Sequence, residues 1–222
     1  MPNSNSADVF QVSRTKLGSF LYQNHALPVY EWPQRMIRPE PKIMRSILDT
    51  VLEIFSRSTK VLVVRFDLHV KEHSETNLIM SKFSKVLTKT LHKYYANTWF
   101  HLIWVREHGH SPYQHYHCAL MANGQKINHP GKLNKLMALC WYEVSGGTFS
   151  LPTNCYYLWQ LGNNKLFGHI IYRLSYLAKN TTKKRFNTNT KRHGSRRILG
   201  DSQKQKKSLT QLLQINTSMM QV

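Results

Sequence analysis

The sequence predicts an α+β domain, a split βαβ (ferredoxin-like) antiparallel sheet of four to five strands with helices packed on one face. Three observations predict it. Strand-like runs, the first of them (Val61 to Val70) rich in β-branched residues, alternate with segments of helical periodicity. The elements follow one another as β-α-β-β-α-β-α. The 222 residues are 41% hydrophobic, enough for one domain with a real core.

Residues 1–40 are irregular, because Pro2, Pro28, Pro33, Pro39 and Pro41 interrupt any long element. From about Lys42 to Ser56, Ile43, Ile47, Val51 and Ile54 recur at helical spacing. Val61 to Val70 reads as a buried strand. Glu75 to Tyr95 reads as a long helix capped by Ser74, with Leu78, Ile79, Phe83, Val86, Leu87 and Leu91 on one side. Thr98–Glu107 and Gln114–Met121 form a hairpin around a loop with Gly109 and Pro112. A helix (Lys132 to Tyr142), a strand (Cys155 to Leu161) and a helix (Gly168 to Lys179) follow. The expected organisation is an irregular segment 1–40, a domain over 41–182, and a basic, partly disordered tail over 183–222 with a short helix near Leu209 to Ile215.

Lys and Arg number 31 against 11 Asp and Glu, a formal charge of +20. Such an excess predicts a polyanionic partner. No apolar run approaches the roughly 20 residues needed to span a bilayer, which sets a membrane aside and leaves nucleic acid. Residues 180–222 carry +9 and residues 1–179 carry +11, so the body is basic as well as the tail. Three cysteines without CxxC spacing fit a reducing compartment, and a cytoplasmic protein is expected.

His115-Tyr116-His117 lies in the third strand, where alternate side chains share a face. Both imidazoles can therefore meet one divalent metal, with Tyr116 in the opposite layer. Twelve histidines give about 0.6 such pairs by chance. A second pair, His108 and His110, falls in the loop. Glu107 ends the neighbouring strand and offers an oxygen ligand suited to Mg²⁺ or Mn²⁺. Simple pairing sets it opposite Gln114, so a bulge is needed to bring it to the histidine face. Asp67 and His69 are alternatives to it. Further on, Tyr172, Tyr176 and Lys179 fall within roughly 60° of one another on a helix, with Ile170, Leu174 and Leu177 on the other side. A phenol is a poor nucleophile at neutral pH. A metal on the phosphate and an ammonium nearby would allow Tyr176 to attack a phosphodiester.

In this order, Arg65-Phe66-Asp67-Leu68-His69, Trp104-Val105-Arg106-Glu107, His115-Tyr116-His117-Cys118-Ala119-Leu120 and Ser175-Tyr176-Leu177-Ala178-Lys179 resemble the HUH endonucleases. The likeness is to the filamentous-phage (inovirus) replication proteins and the YagK/YfjJ-type proteins of bacterial prophages, over about residues 60–185. The resemblance implies His115 and His117 as metal ligands, Tyr176 as nucleophile, Lys179 as the lysine that follows it, and Tyr172 as a second tyrosine. It leaves the third ligand variable and gives Arg173 and Ser175 no role. It implies single-stranded DNA or a DNA origin as substrate. With no GxxxxGK[ST] segment, unwinding would fall to a host helicase beside a host polymerase. Lys183, Lys184, Arg185, Lys191, Arg192, Arg196 and Arg197 would contact phosphates. Trp99, Phe100, Tyr156, Tyr157 and Trp159 would stack on bases or pack in the core. Two other readings stand beside this one. One is a non-catalytic nucleic-acid module on an RRM-like sheet, although no KGFGF-like run is present. The other is a histidine phosphohydrolase, although Ala119 interrupts an HxHxH pattern.

Overall fold

A computed structural model describes residues 16–31, 38–107, 113–179, 190–199 and 208–213. The fold is mixed α+β around an antiparallel sheet. The elements are β1 (Lys16–Tyr22), β2 (His25–Glu31), α1 (Pro41–Arg57), β3 (Lys60–His69), α2 (Leu78–Tyr94), β4 (Phe100–Glu107) and β5 (His115–Asn123). Then come α3 (Gly131–Ser145), β6 (Thr148–Ser150), β7 (Tyr156–Gln160), α4 (Asn164–Ser175), a 3₁₀ turn (Tyr176–Ala178), β8 (His193–Leu199) and α5 (Leu209–Leu213).

The main sheet runs β6-β3-β5-β4-β8, and β7 pairs with the other half of the edge of β3. Every pairing is antiparallel. Its central strands are apolar on both faces, so each face needs a cover. Leu62, Val64, Phe66, Leu68, Tyr116, Cys118 and Leu120 pack with residues of α2 and α3. Val61, Val63, Ile103, Val105, Ala119 and Met121 pack with α1 and α4. Helices thus cover both faces, where the sequence suggested only one. Among the described residues, no helix is long and apolar enough to cross a membrane. The three cysteines are free.

Four further expectations need correction. Residues 16–31, read as irregular, form the hairpin β1–β2, with Ser19 opposite Pro28. A two-stranded ribbon consists of edges only, so Pro28 costs it no ladder it needs. The turn sets Gln23 and Asn24 at φ 47° and 63°, the left-handed values that fit the twist of a hairpin. Residues 193–199, read as tail, form the edge strand β8 on β4. The helix expected from Glu75 begins at Leu78, and Ser74 does not cap it. There Arg106 takes the backbone carbonyls of Ser74 and Thr76 with its guanidinium, which holds this segment outside the helix. The last helix ends at Ser175 and tightens into the 3₁₀ turn that carries Tyr176.

Candidate active site

Strand register builds the site. On β3, β4 and β5 the odd-numbered residues face the α1 and α4 layer, and the apolar ones form that core. Towards one end of the sheet the same face turns polar. Arg65, Asp67 and His69 lie on β3 and His115 and His117 on β5, with Asp67 opposite His117 and His69 opposite His115. On the other side Glu107 is directly opposite His115. No bulge is needed, because the pairing is one residue from the expected one. Residues directly opposite share a face, so both neighbours of β5 deliver polar groups to the histidines.

Glu107, His115 and His117 offer ligand atoms that all lie within 4.8 Å of one another. Glu107 Oε2 is 2.6 Å from His117 Nε2 and 3.7 Å from His115 Nε2. Their side chains are 11%, 15% and 7% exposed, so the cluster is reachable yet poorly hydrated. Two imidazoles and one carboxylate suit a divalent ion such as Mn²⁺, and the carboxylate suits Mg²⁺. The Nδ1 of His117 faces Asp67 Oδ1 at hydrogen-bond distance. Arg65 Nη2 is 2.9 Å from the same nitrogen, but a guanidinium only donates. In the tautomer whose Nδ1–H donates to the Asp67 carboxylate, Nε2, 2.6 Å from Glu107 Oε2, presents its lone pair to the cluster and would be available to a metal. Arg65 Nη1 in turn donates to Asp67 Oδ1 at 2.6 Å. Burial alone pushes the Asp67 carboxyl up. The His117 hydrogen bond and the Arg65 charge outweigh it and hold the carboxyl well below the usual range. His69, the other alternative ligand, stacks on the His115 ring at 5.4 Å.

The 3₁₀ turn carries the tyrosine to this cluster. Lys179 Nζ donates to the Tyr176 hydroxyl at 2.8 Å and lies 3.4 Å from Glu107 Oε2. The Tyr176 ring meets His117 edge-on at 5.5 Å between centroids, and the Arg65 guanidinium lies 5.8 Å from it. The turn is fixed from outside as well: Glu40 N–H donates to the Ala178 carbonyl, and Pro39 bridges Lys179. Tyr172, one turn earlier, packs on Tyr30 at 5.8 Å. Tyr116 lies in the opposite layer as expected. Burial pushes its hydroxyl up to about 12, and it donates to Asn77 Oδ1.

The basic residues divide. Lys191 and Arg192 line a groove of about 530 Å³ beside Glu40 and Lys42. Lys191 and Arg196 line another of about 550 Å³ on the far side of β8. Arg192 is paired with Glu40 at 2.7 Å. Lys183, Lys184, Arg185, the loop histidines His108 and His110, and the side chain of Arg197 lie outside the described residues. Of the aromatics proposed to stack on bases, Phe100 and Trp159 are core residues at 0% and 1% exposure. Tyr156 is exposed, and Trp99 and Tyr157 are half-buried. Arg65, Ser175 and Tyr30 are the site residues that sequence reasoning gave no role. The alternation Arg65, Asp67, His69 within an apolar strand was the signal for the first.

An antiparallel α+β domain with a two-histidine, one-carboxylate cluster under a tyrosine and a lysine is the class defined here. The chain belongs to the YagK/YfjJ C-terminal domain family, whose model matches residues 34–195. No curated protein and no solved structure matches it significantly.

Proposed function

We propose that this protein is an HUH-type DNA nicking and joining enzyme, a replication initiator of the rolling-circle kind for phage or prophage DNA. The observation that carries the reading is Lys179, whose ammonium reaches the Tyr176 hydroxyl at 2.8 Å and Glu107 at 3.4 Å and so joins the nucleophile to the metal ligands. The sheet order β7-β3-β5-β4, with α2 and α3 as crossovers, supports the ferredoxin-like reading of the domain. Membership in the YagK/YfjJ family and the charge of +20 agree with it.

The Tyr176 oxygen attacks the phosphorus of a single-stranded phosphodiester and loses its proton to solvent. The bond to the 3′ oxygen breaks, a 3′ hydroxyl leaves, and the 5′ phosphate stays on the tyrosine. A divalent ion held by Glu107, His115 and His117 would polarise a non-bridging phosphate oxygen and orient the phosphate for in-line displacement. Lys179 stabilises charge on the phenol oxygen, both when it attacks and when it leaves on rejoining. Asp67 holds His117 in the tautomer that presents Nε2. The covalent bond conserves the phosphodiester energy for strand transfer. Lys191, Arg192 and Arg196 bind phosphates along the grooves beside β8. Unwinding and synthesis belong to a helicase and polymerase of the host, in whose cytoplasm the enzyme acts.

The test is incubation of the protein with 5′- and 3′-labelled single-stranded DNA bearing candidate origins, in Mn²⁺ or in EDTA, on a denaturing gel. A Mn²⁺-dependent covalent adduct that keeps the 3′ label and frees the 5′-labelled fragment is expected. Binding without an adduct on specific and pooled sequences would make the protein a non-catalytic nucleic-acid module instead.

A further inference from the structure

The hairpin β1–β2 stands outside residues 34–195, the segment that the family model matches, yet it reaches the tyrosine site. Leu27 and Val29 are buried with Phe167, Ile170, Ile171 and Leu174, which seats β2 on α4. At its end, the backbone N–H of Tyr30 donates to Ser175 Oγ at 2.7 Å. The same hydroxyl donates to the Tyr172 carbonyl at 2.7 Å. Ser175 is 1% exposed and immediately precedes Tyr176. The hairpin is thus tied to the residue where the helix tightens and the chain turns Tyr176 towards the metal ligands.

Among the described residues, four charged or aromatic side chains lie against the Tyr176 ring. Lys179 Nζ is 4.3 Å from its centre, the Arg65 guanidinium 5.8 Å and the His117 ring 5.5 Å. The fourth is Tyr30, edge-on at 5.2 Å and 84°. The first three belong to the family-matched segment. Only Tyr30 comes from the hairpin, and it braces Tyr172 as well. A phenol has two side-chain torsions to fix before it can attack in line, and small misplacements of a reacting group cost large factors in rate.

We infer that Tyr30 is a positioning residue, whose ring holds Tyr176 against the metal ligands in the attacking orientation. This rests on the reading of Tyr176 as the nucleophile. Tyr30 acts through the Tyr176 ring, so its loss is expected to slow the covalent step without weakening DNA or metal binding.

The experiment compares wild type, Tyr30→Leu and Tyr30→Phe in full-length protein. Single-turnover adduct formation is followed at saturating single-stranded DNA with Mn²⁺, beside the Kd for DNA, the Kd for Mn²⁺ and the unfolding midpoint. The Leu variant is expected to form adduct about tenfold more slowly or worse, with both Kd values unchanged, and the Phe variant to stay within about twofold of wild type. Tyr30→Met is read in its place if the Leu variant does not fold. Adduct formation at the wild-type rate in the Leu or Met variant overturns the inference and leaves the nicking reading intact. So does a loss confined to DNA or metal affinity. A wild-type protein that forms no adduct overturns both.

Discussion

Asp67 stands opposite His117 in the β3–β5 ladder, its carboxylate within hydrogen-bond distance of the Nδ1 of that histidine, while Arg65 donates to the carboxylate from behind. On the proposed reading, a residue that is not itself a ligand thereby selects the nitrogen of His117 that would face a metal. Asp67→Ala should weaken Mn²⁺ binding about ten- to a hundredfold in calorimetric titration. Asp67→Asn, which keeps an acceptor, should lose less. Equal affinity in wild type and the Ala variant would remove Asp67 from the site.

The same carboxylate makes stability depend on acid. Its pKa is depressed in the folded protein, so its contribution is fully present above the unfolded value, near 3.8, and is lost as pH falls below that. Urea unfolding of wild type and Asp67→Asn should give a constant difference from pH 7 to pH 5. The difference should shrink below about pH 4. A difference that grows on acidification would contradict the ion pair with Arg65.

On the proposed reading, Lys179 would separate catalysis from metal binding. Its ammonium lies 3.4 Å from Glu107, where it would oppose a divalent cation, and 2.8 Å from the Tyr176 hydroxyl. Lys179→Met should cut adduct formation about a hundredfold while Mn²⁺ binds at least as tightly as to wild type. Loss of both together would make Lys179 a support of the metal cluster.

Lys191 is exposed and lines the grooves on both sides of β8, whereas Arg192 is already paired with Glu40. Lys191→Ala should lower the slope of log K against log salt for single-stranded DNA by about 0.7, the loss of one phosphate contact. Arg192→Ala should change it less. Unchanged slopes for Lys191→Ala would place the strand elsewhere.

Much of this was readable before any coordinates, for stated reasons. β3 announces itself through its β-branched run and β4–β5 as a hairpin around Gly109 and Pro112, and the face shared by His115 and His117 follows from the period of two. The placement of Glu107 did not, because a loop expected over 108–113 leaves the pairing uncertain by one residue and one residue inverts the face. Asp67 and His69 were weighed as ligands; that one orients His117 and the other stacks on His115 depends on cross-strand register. β1–β2 stayed hidden behind Pro28 and a Gln23-Asn24 turn that lacks the Asn-Gly signal. With the hairpin went Tyr30. β8 read as tail because exposed charge is what an edge strand and a solvated arm have in common. The closing of α4 at Ser175 is set by contacts from Tyr30 and Glu40, distant in sequence.

The most direct test of the central claim is to isolate the covalent complex formed on single-stranded DNA in Mn²⁺, digest both components and locate the nucleotide remnant by mass spectrometry. It should sit on the peptide containing Tyr176, and be absent with EDTA and from His117→Ala. A remnant on Tyr172 or on any other residue, or one formed equally well without the metal and without His117, would contradict the assignment of nucleophile and metal centre.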